Sequence, residues 1–187
     1  MRSPNCFIVT PKDNRRYDNK KEIGGMEFIT SVSEEDHTVS NRFATVIELP
    51  INYEGPISKG DTLLVHHNVF KFYNDVKGRR QSGRSFLKEN LFLVDNDQFF
   101  MYHNGDKWMA WGKYCFIKPV DVKESYIFKG CSEEPLYGIV KYINQELLNL
   151  GVNEGDSISF QPDSEYEFNV EGEKLYRMFT DNITMLV

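Results

Sequence analysis

The chain has 187 residues, 40% of them hydrophobic, and a formal net charge of −6 from 28 acidic and 22 basic residues. That length allows one medium domain or two small ones with a real core, and the acidic balance gives no support to nucleic-acid binding as the main role. Seven Pro and 13 Gly exclude a fibrous or disordered composition, and 14 Phe with 10 Tyr favour strands over helices.

In chain order, Cys6-Phe7-Ile8-Val9 reads as a first strand. A charged stretch from Lys12 to Glu22 follows, then Gly24-Gly25, the apolar cluster Met26-Glu27-Phe28-Ile29, and a polar run from Thr30 to Asn41. Residues 12–41 are expected to form a long mobile loop with an apolar patch at its middle and Gly24-Gly25 as its hinge. Phe43 to Leu49 is the next strand, closed by Pro50, and Gly60-Asp61 turns into the strand Thr62 to Val65. Residues 75–90 carry the basic run Lys77-Gly78-Arg79-Arg80-Gln81-Ser82-Gly83-Arg84 and are expected to be an exposed loop. Leu91 to Val94 and Gln98 to Tyr102 flank Asp95-Asn96-Asp97 and read as a hairpin; Lys107 to Ala110 is a further short strand. Strands are then expected over Tyr114–Val120, Leu136–Tyr142, Ser157–Phe160, Glu165–Val170, Lys174–Met178 and Asn182–Val187. Gln145 to Leu150 reads either as one helical turn or as loop.

The pattern contains an internal repeat. Cys6-Phe7-Ile8 recurs as Cys115-Phe116-Ile117, and Ala44-Thr45-Val46 corresponds to Gly138-Ile139-Val140. Lys59-Gly60-Asp61-Thr62-Leu63 recurs as Glu154-Gly155-Asp156-Ser157-Ile158, and Phe99–Trp111 aligns on Leu175–Val187. Four landmarks in one order divide the chain into units over residues 1–112 and 113–187. The first unit carries the long loop and the basic insertion; the second has the shorter segment Asp121–Pro135.

At these residues the sequence resembles the GroES co-chaperonin family, over nearly the whole chain in two passes. The motifs are Phe7-Ile8-Val9, the Gly24-Gly25-Met26-Glu27-Phe28-Ile29-Thr30 loop, Ala44-Thr45-Val46, Lys59-Gly60-Asp61 and the closing strands up to Ala110. Two units are a trait of chloroplast tandem co-chaperonins; the short span between Val46 and Gly60 resembles the shortened phage forms. The resemblance implies an all-β fold of two tandem irregular antiparallel β-barrels assembled into a homo-oligomeric ring. It implies that Gly24, Gly25, Met26, Glu27, Phe28 and Ile29 bind a GroEL-type chaperonin during ATP-dependent protein folding, with no catalysis and no cofactor. Either Met26 and Phe28 share one face of an extended segment, which alternation favours, or Phe28-Ile29 are the anchor. In the second unit Tyr126-Ile127-Phe128 is the only apolar cluster at the loop position. The alternative function is a structural ring or adaptor protein with the same fold that does not bind chaperonin.

No catalytic or metal motif is read. Cys6, Cys115 and Cys131 form no CxxC pair or Cys/His cluster and fit reduced thiols. His66 and His67, on a strand, are expected to face opposite sides, one buried and one exposed. Trp108 and Trp111 are expected to fill the interface between the units. Asn182-Ile183-Thr184 fits a glycosylation sequon that is expected to go unread. Neither a signal-peptide run nor a stretch of transmembrane length is found, so the expectation is a cytoplasmic protein without a membrane partner.

Overall fold

A computed structural model describes residues 1–17, 20–24, 26–29, 39–122 and 133–187. Of the described residues 49% are strand and 7% helical, with antiparallel sheets, and the fold is all-β. It divides into two compact units, Met1–Lys107 and Trp108–Val187; the sequence pattern had suggested a break near Gly112.

The first unit contains β1 (Phe7–Pro11), β2 (Lys20–Ile23), β3 (Met26–Ile29), β4 (Phe43–Glu48) and β5 (Thr62–Val65). It continues with β6 (Phe72–Asn74), β7 (Arg80–Ser82), β8 (Phe86–Lys88), β9 (Leu91–Val94) and β10 (Phe99–His103). In the second unit are β11 (Trp108–Ala110), β12 (Tyr114–Asp121), β13 (Glu133–Tyr142) and the helix α1 (Gln145–Asn149). Then follow β14 (Ser157–Phe160), β15 (Tyr166–Val170), β16 (Glu173–Phe179) and β17 (Ile183–Leu186).

In the first unit β10, β5, β4, β1, β9 and β8 are hydrogen-bonded neighbours in that order. The sheet of the second unit runs β17, β14, β13, β12, β16, β15. The two orders are the same, strand for strand. Irregularities coincide too. Pairing of β1 with β4 passes from Ile8↔Glu48 to Val9↔Val46, leaving Ile47 as a bulge. Pairing of β12 with β13 passes from Phe116↔Tyr142 to Ile117↔Val140, leaving Lys141 in the same place. A bulge inserts one residue and re-aims the strand, so a shared bulge pins the alignment of the repeat to single residues.

That alignment corrects two of the four landmarks. Pro11↔Ala44 matches Pro119↔Gly138, so Phe7-Ile8-Val9 corresponds to Cys115-Phe116-Ile117, one residue away from the Cys6/Cys115 match. Identity of three letters outweighed register in the sequence reading. The closing strands shift further. Phe99↔Val65 matches Ile183↔Phe160 and Met101↔Leu64 matches Met185↔Ser159, so Phe99 corresponds to Ile183, not Leu175. Leu175 lies in β16, the counterpart of β9.

The Gly-Asp landmark holds in full. Gly60 (φ +93°) and Gly155 (φ +92°) adopt the left-handed conformation that suits glycine. The N–H of Gly60 donates to Val46 O at 2.8 Å, and that of Gly155 to Val140 O at 2.8 Å. Asp61 Oδ2 accepts the Ser58 N–H at 2.8 Å, and Asp156 Oδ2 accepts that of Asn153 at 2.7 Å. The motif recurs because the same turn must be closed twice, by a residue free of a Cβ and by a short carboxylate.

Asp95-Asn96-Asp97 forms a turn but not a hairpin. β9 already pairs with β1 and β8, so it has no free edge for β10, which pairs with β5. The turn carries the chain across the sheet instead, with Gln98 Oε1 accepting the Asp95 N–H at 2.9 Å. Asn182 does the same for Phe179 N–H at 3.1 Å. Residues 145–149 are helix: Asn144, 4% exposed, caps it by accepting the Leu147 N–H at 2.8 Å and donates to Thr180 Oγ1 at 2.8 Å.

Each unit has its own core. Phe7, in the first, is fully buried, edge-on to Tyr53 at 5.0 Å and to Phe99 at 5.5 Å. The second packs Cys115, Ile117, Val140, Leu147, Val152, Ile158, Phe160 and Met178 together. Trp108 is buried and donates its indole N–H to Glu171 Oε1 at 3.1 Å.

Two predictions arise here. A Cβ on Gly138 would lie 2.9 Å from Lys118 O and against Ile117 Cγ2, whereas its counterpart Ala44 already carries one. Gly138→Ala should therefore destabilise the second unit by about 1–3 kcal/mol through overpacking, read as a lower midpoint in urea. Burial pushes the Cys115 thiol up to about 12. The neutral thiol is not a nucleophile, so iodoacetamide at neutral pH should leave Cys115 unmodified in the folded protein and alkylate it on unfolding, as mass spectrometry would show.

Candidate functional site

The apolar cluster singled out in the sequence lies on a hairpin. β2 and β3 pair with the register Lys20↔Ile29, Lys21↔Phe28, Glu22↔Glu27 and Ile23↔Met26. Gly24 turns the chain with φ +60°, a conformation that suits a two-residue hairpin connection. Of the six predicted site residues, Gly24 is in that turn and Met26, Glu27, Phe28 and Ile29 form β3. Gly25 lies outside the described residues, as do Thr30–Thr38, most of the Asp121–Pro135 segment with Tyr126-Ile127-Phe128, and Cys131. Among the described residues β2 and β3 pair only with each other. Met26 is 63% exposed. The region expected to be a loop with a glycine hinge thus contains a strand pair, because alternating residues on either side of two glycines can close a tight turn.

Both stems of this segment are held by a built base. Tyr17 and Ser40 form an antiparallel bridge. Asn41, 8% exposed, does the most: its N–H donates to Arg16 O at 2.9 Å, and its amide nitrogen donates to Lys12 O at 3.1 Å and Arg15 O at 2.7 Å. Its side-chain oxygen accepts the Phe43 N–H at 2.9 Å. A buried amide satisfied on both ends fixes its neighbours closely. Ser40, 4% exposed, donates its hydroxyl to His67 O at 2.9 Å.

The base continues into the basic insertion. Residues 75–90 are not an irregular loop: β6 and β7 pair through Phe72↔Ser82, Tyr73↔Gln81 and Asn74↔Arg80. Asp75 Oδ1 accepts the N–H groups of Lys77 and Arg79, both at 2.8 Å, and so closes the tip. The root of this hairpin rests on the stem. Tyr17 Oη accepts the Phe72 N–H at 2.8 Å, and the two rings stack at 6.1 Å. Arg16 donates to Ser82 Oγ at 3.1 Å, and its guanidinium lies 4.0 Å from the Phe72 ring centre, 4.7 Å from that of Phe92 and 5.1 Å from that of Phe86. Arg80 sits 3.7 Å from the Phe72 centre. Such cation–π contacts are worth about 0.5–2 kcal/mol each, more as water is excluded.

Sequence reasoning singled out residues 24–29 and did not single out Arg16, Tyr17, Asn41 or Phe72, which form the base beneath them. The available signal was Phe70-Lys71-Phe72-Tyr73, an aromatic run directly before the basic stretch. His66 and His67 are both half-buried, with ring centres 4.1 Å apart. They do not face opposite sides, since β5 ends at Val65. Among the described residues no group of three or more His, Cys, Asp or Glu is arranged to hold a metal ion. No helix among the described residues is long and apolar enough to cross a membrane. A scan against protein-family models gives no match, and no curated protein matches the chain.

Proposed function

We propose that this chain is a co-chaperonin that caps a GroEL-type chaperonin during ATP-dependent protein folding. In this reading its two β units are tandem GroES-like barrels that assemble into a cytoplasmic homo-oligomeric ring, and it needs no cofactor of its own. The motif order along both halves supports the reading, as does the identical strand order of the two units. The observation that carries it is Met26, an apolar side chain 63% exposed beside the Gly24 turn of a hairpin that joins neither large sheet among the described residues. In this reading Met26 is the apolar contact that the partner covers. Residues 24–29 supply the buried contacts with an apical groove. One hairpin binds weakly and reversibly; several on one ring add through effective concentration.

Gel filtration of the purified chain with a GroEL-type chaperonin tests this. Co-elution that requires ATP or ADP is the expected result. Failure to co-elute with nucleotide present would leave the adaptor function as the better reading.

A further inference from the structure

The β6–β7 hairpin has no counterpart in the second unit, where β14 leads to β15 without an intervening strand pair. It is also the chain's strongest concentration of positive charge. Residues 71–88 hold six basic side chains (Lys71, Lys77, Arg79, Arg80, Arg84, Lys88) against Asp75. That is a net charge of +5, so the remainder of the chain carries −11. Asp75 stands at the tip as well, its Oδ1 accepting two backbone N–H groups, and the net charge of +5 already includes it. Lys77 and Arg79 are exposed, and beside them Tyr73 is 50% exposed and Val76 fully so. The tip therefore offers two cations and two apolar side chains on a turn closed by Asp75.

The root of the hairpin decides what meets it. Arg16 and Tyr17 on one stem, and Ser40 on the other, bond to Ser82, Phe72 and His67 at 2.8–3.1 Å. The chain segments that lead to the element bearing Met26 and to the element bearing Lys77 thus meet at one base. The geometry points to the β6–β7 tip as a second docking surface, taking an acidic patch on the protein that the β2–β3 hairpin engages. This rests on the co-chaperonin reading. A protein surface suits the tip better than a nucleic acid, because the −11 carried elsewhere repels a polyanion and Tyr73 with Val76 calls for an apolar rim. Arg16 is a positioning residue in this arrangement, holding hairpin to stem.

The test uses the full chain and compares wild type, K77E/R79E and the Met26→Ser, Phe28→Ser variant for chaperonin affinity at about 50 and about 300 mM salt. The substituted tip residues give only backbone groups to the turn, so the melting temperature of K77E/R79E should match wild type. Expected is a roughly tenfold loss of affinity for K77E/R79E at low salt with a flattened salt dependence, since exposed charge pairs are weak singly and screened. Wild-type affinity and salt slope in K77E/R79E would overturn the second surface and leave the co-chaperonin reading standing. Absence of any wild-type complex would overturn both. Retention of a single-stranded RNA probe by wild type and not by K77E/R79E, with chaperonin affinity unchanged, would reassign the tip to nucleic acid.

Discussion

The Met26→Ser, Phe28→Ser double variant should lose chaperonin affinity by about 100-fold or more while melting at the wild-type temperature. Burying one Met or Phe side chain is worth about 1.5–3 kcal/mol, and tenfold in affinity is about 1.4 kcal/mol. Two such contacts removed together therefore amount to at least two decades. Stability should be spared because, among the described residues, β2 and β3 pair only with each other and Met26 is largely exposed. Surface plasmon resonance with ADP-loaded chaperonin, beside a thermal melt of the variant alone, reads both halves of the expectation. Wild-type affinity would remove residues 24–29 from the site.

Phe7→Ala should destabilise the first unit by about 3–5 kcal/mol, the usual cost of deleting a buried phenyl ring. Phe7 is fully buried, and its ring meets Tyr53 and Phe99 edge-on. Its strand pairs with β4 on one side and β9 on the other, so no neighbour can collapse into the space without breaking a ladder. For a unit of this size the loss corresponds to a drop of about 10 °C or more in melting temperature. The counterpart of Phe7 is Cys115, a much smaller side chain. Cys115→Ala should cost well under half as much, and differential scanning calorimetry of the two variants compares them directly.

Strands with clear apolar runs were legible in the sequence. Thr62–Val65, Leu91–Val94 and Ser157–Phe160 lie where alternation and turn residues put them. The Gly60-Asp61 and Gly155-Asp156 repeat was legible because a left-handed glycine and a capping carboxylate are chemical necessities of that turn. Strand partners were not legible. Asp95-Asn96-Asp97 has good hairpin chemistry, but whether β9 has a free edge depends on β1 and β8, which no local pattern reveals. The bulges at Ile47 and Lys141 set the register of the repeat and carry no residue signature, so letter identity misaligned Cys6 with Cys115. At the candidate site, the apolar cluster Met26-Glu27-Phe28-Ile29 could be read from its place inside a polar stretch. The base could not: Arg16, Tyr17, Asn41 and Phe72 are scattered in sequence and acquire a role only when folding brings them together. The first unit carries the β2–β3 hairpin, its base and the basic tip, so within one repeated topology it holds the features we assign to partner binding.

Amide hydrogen exchange of the whole chain, with and without chaperonin and ADP, tests the central proposal most directly. Complex formation should slow exchange over residues 20–29 and 73–79, with the second unit little changed. Slowed exchange confined to residues 108–187, or no change at residues 20–29 in a complex that demonstrably forms, would contradict it.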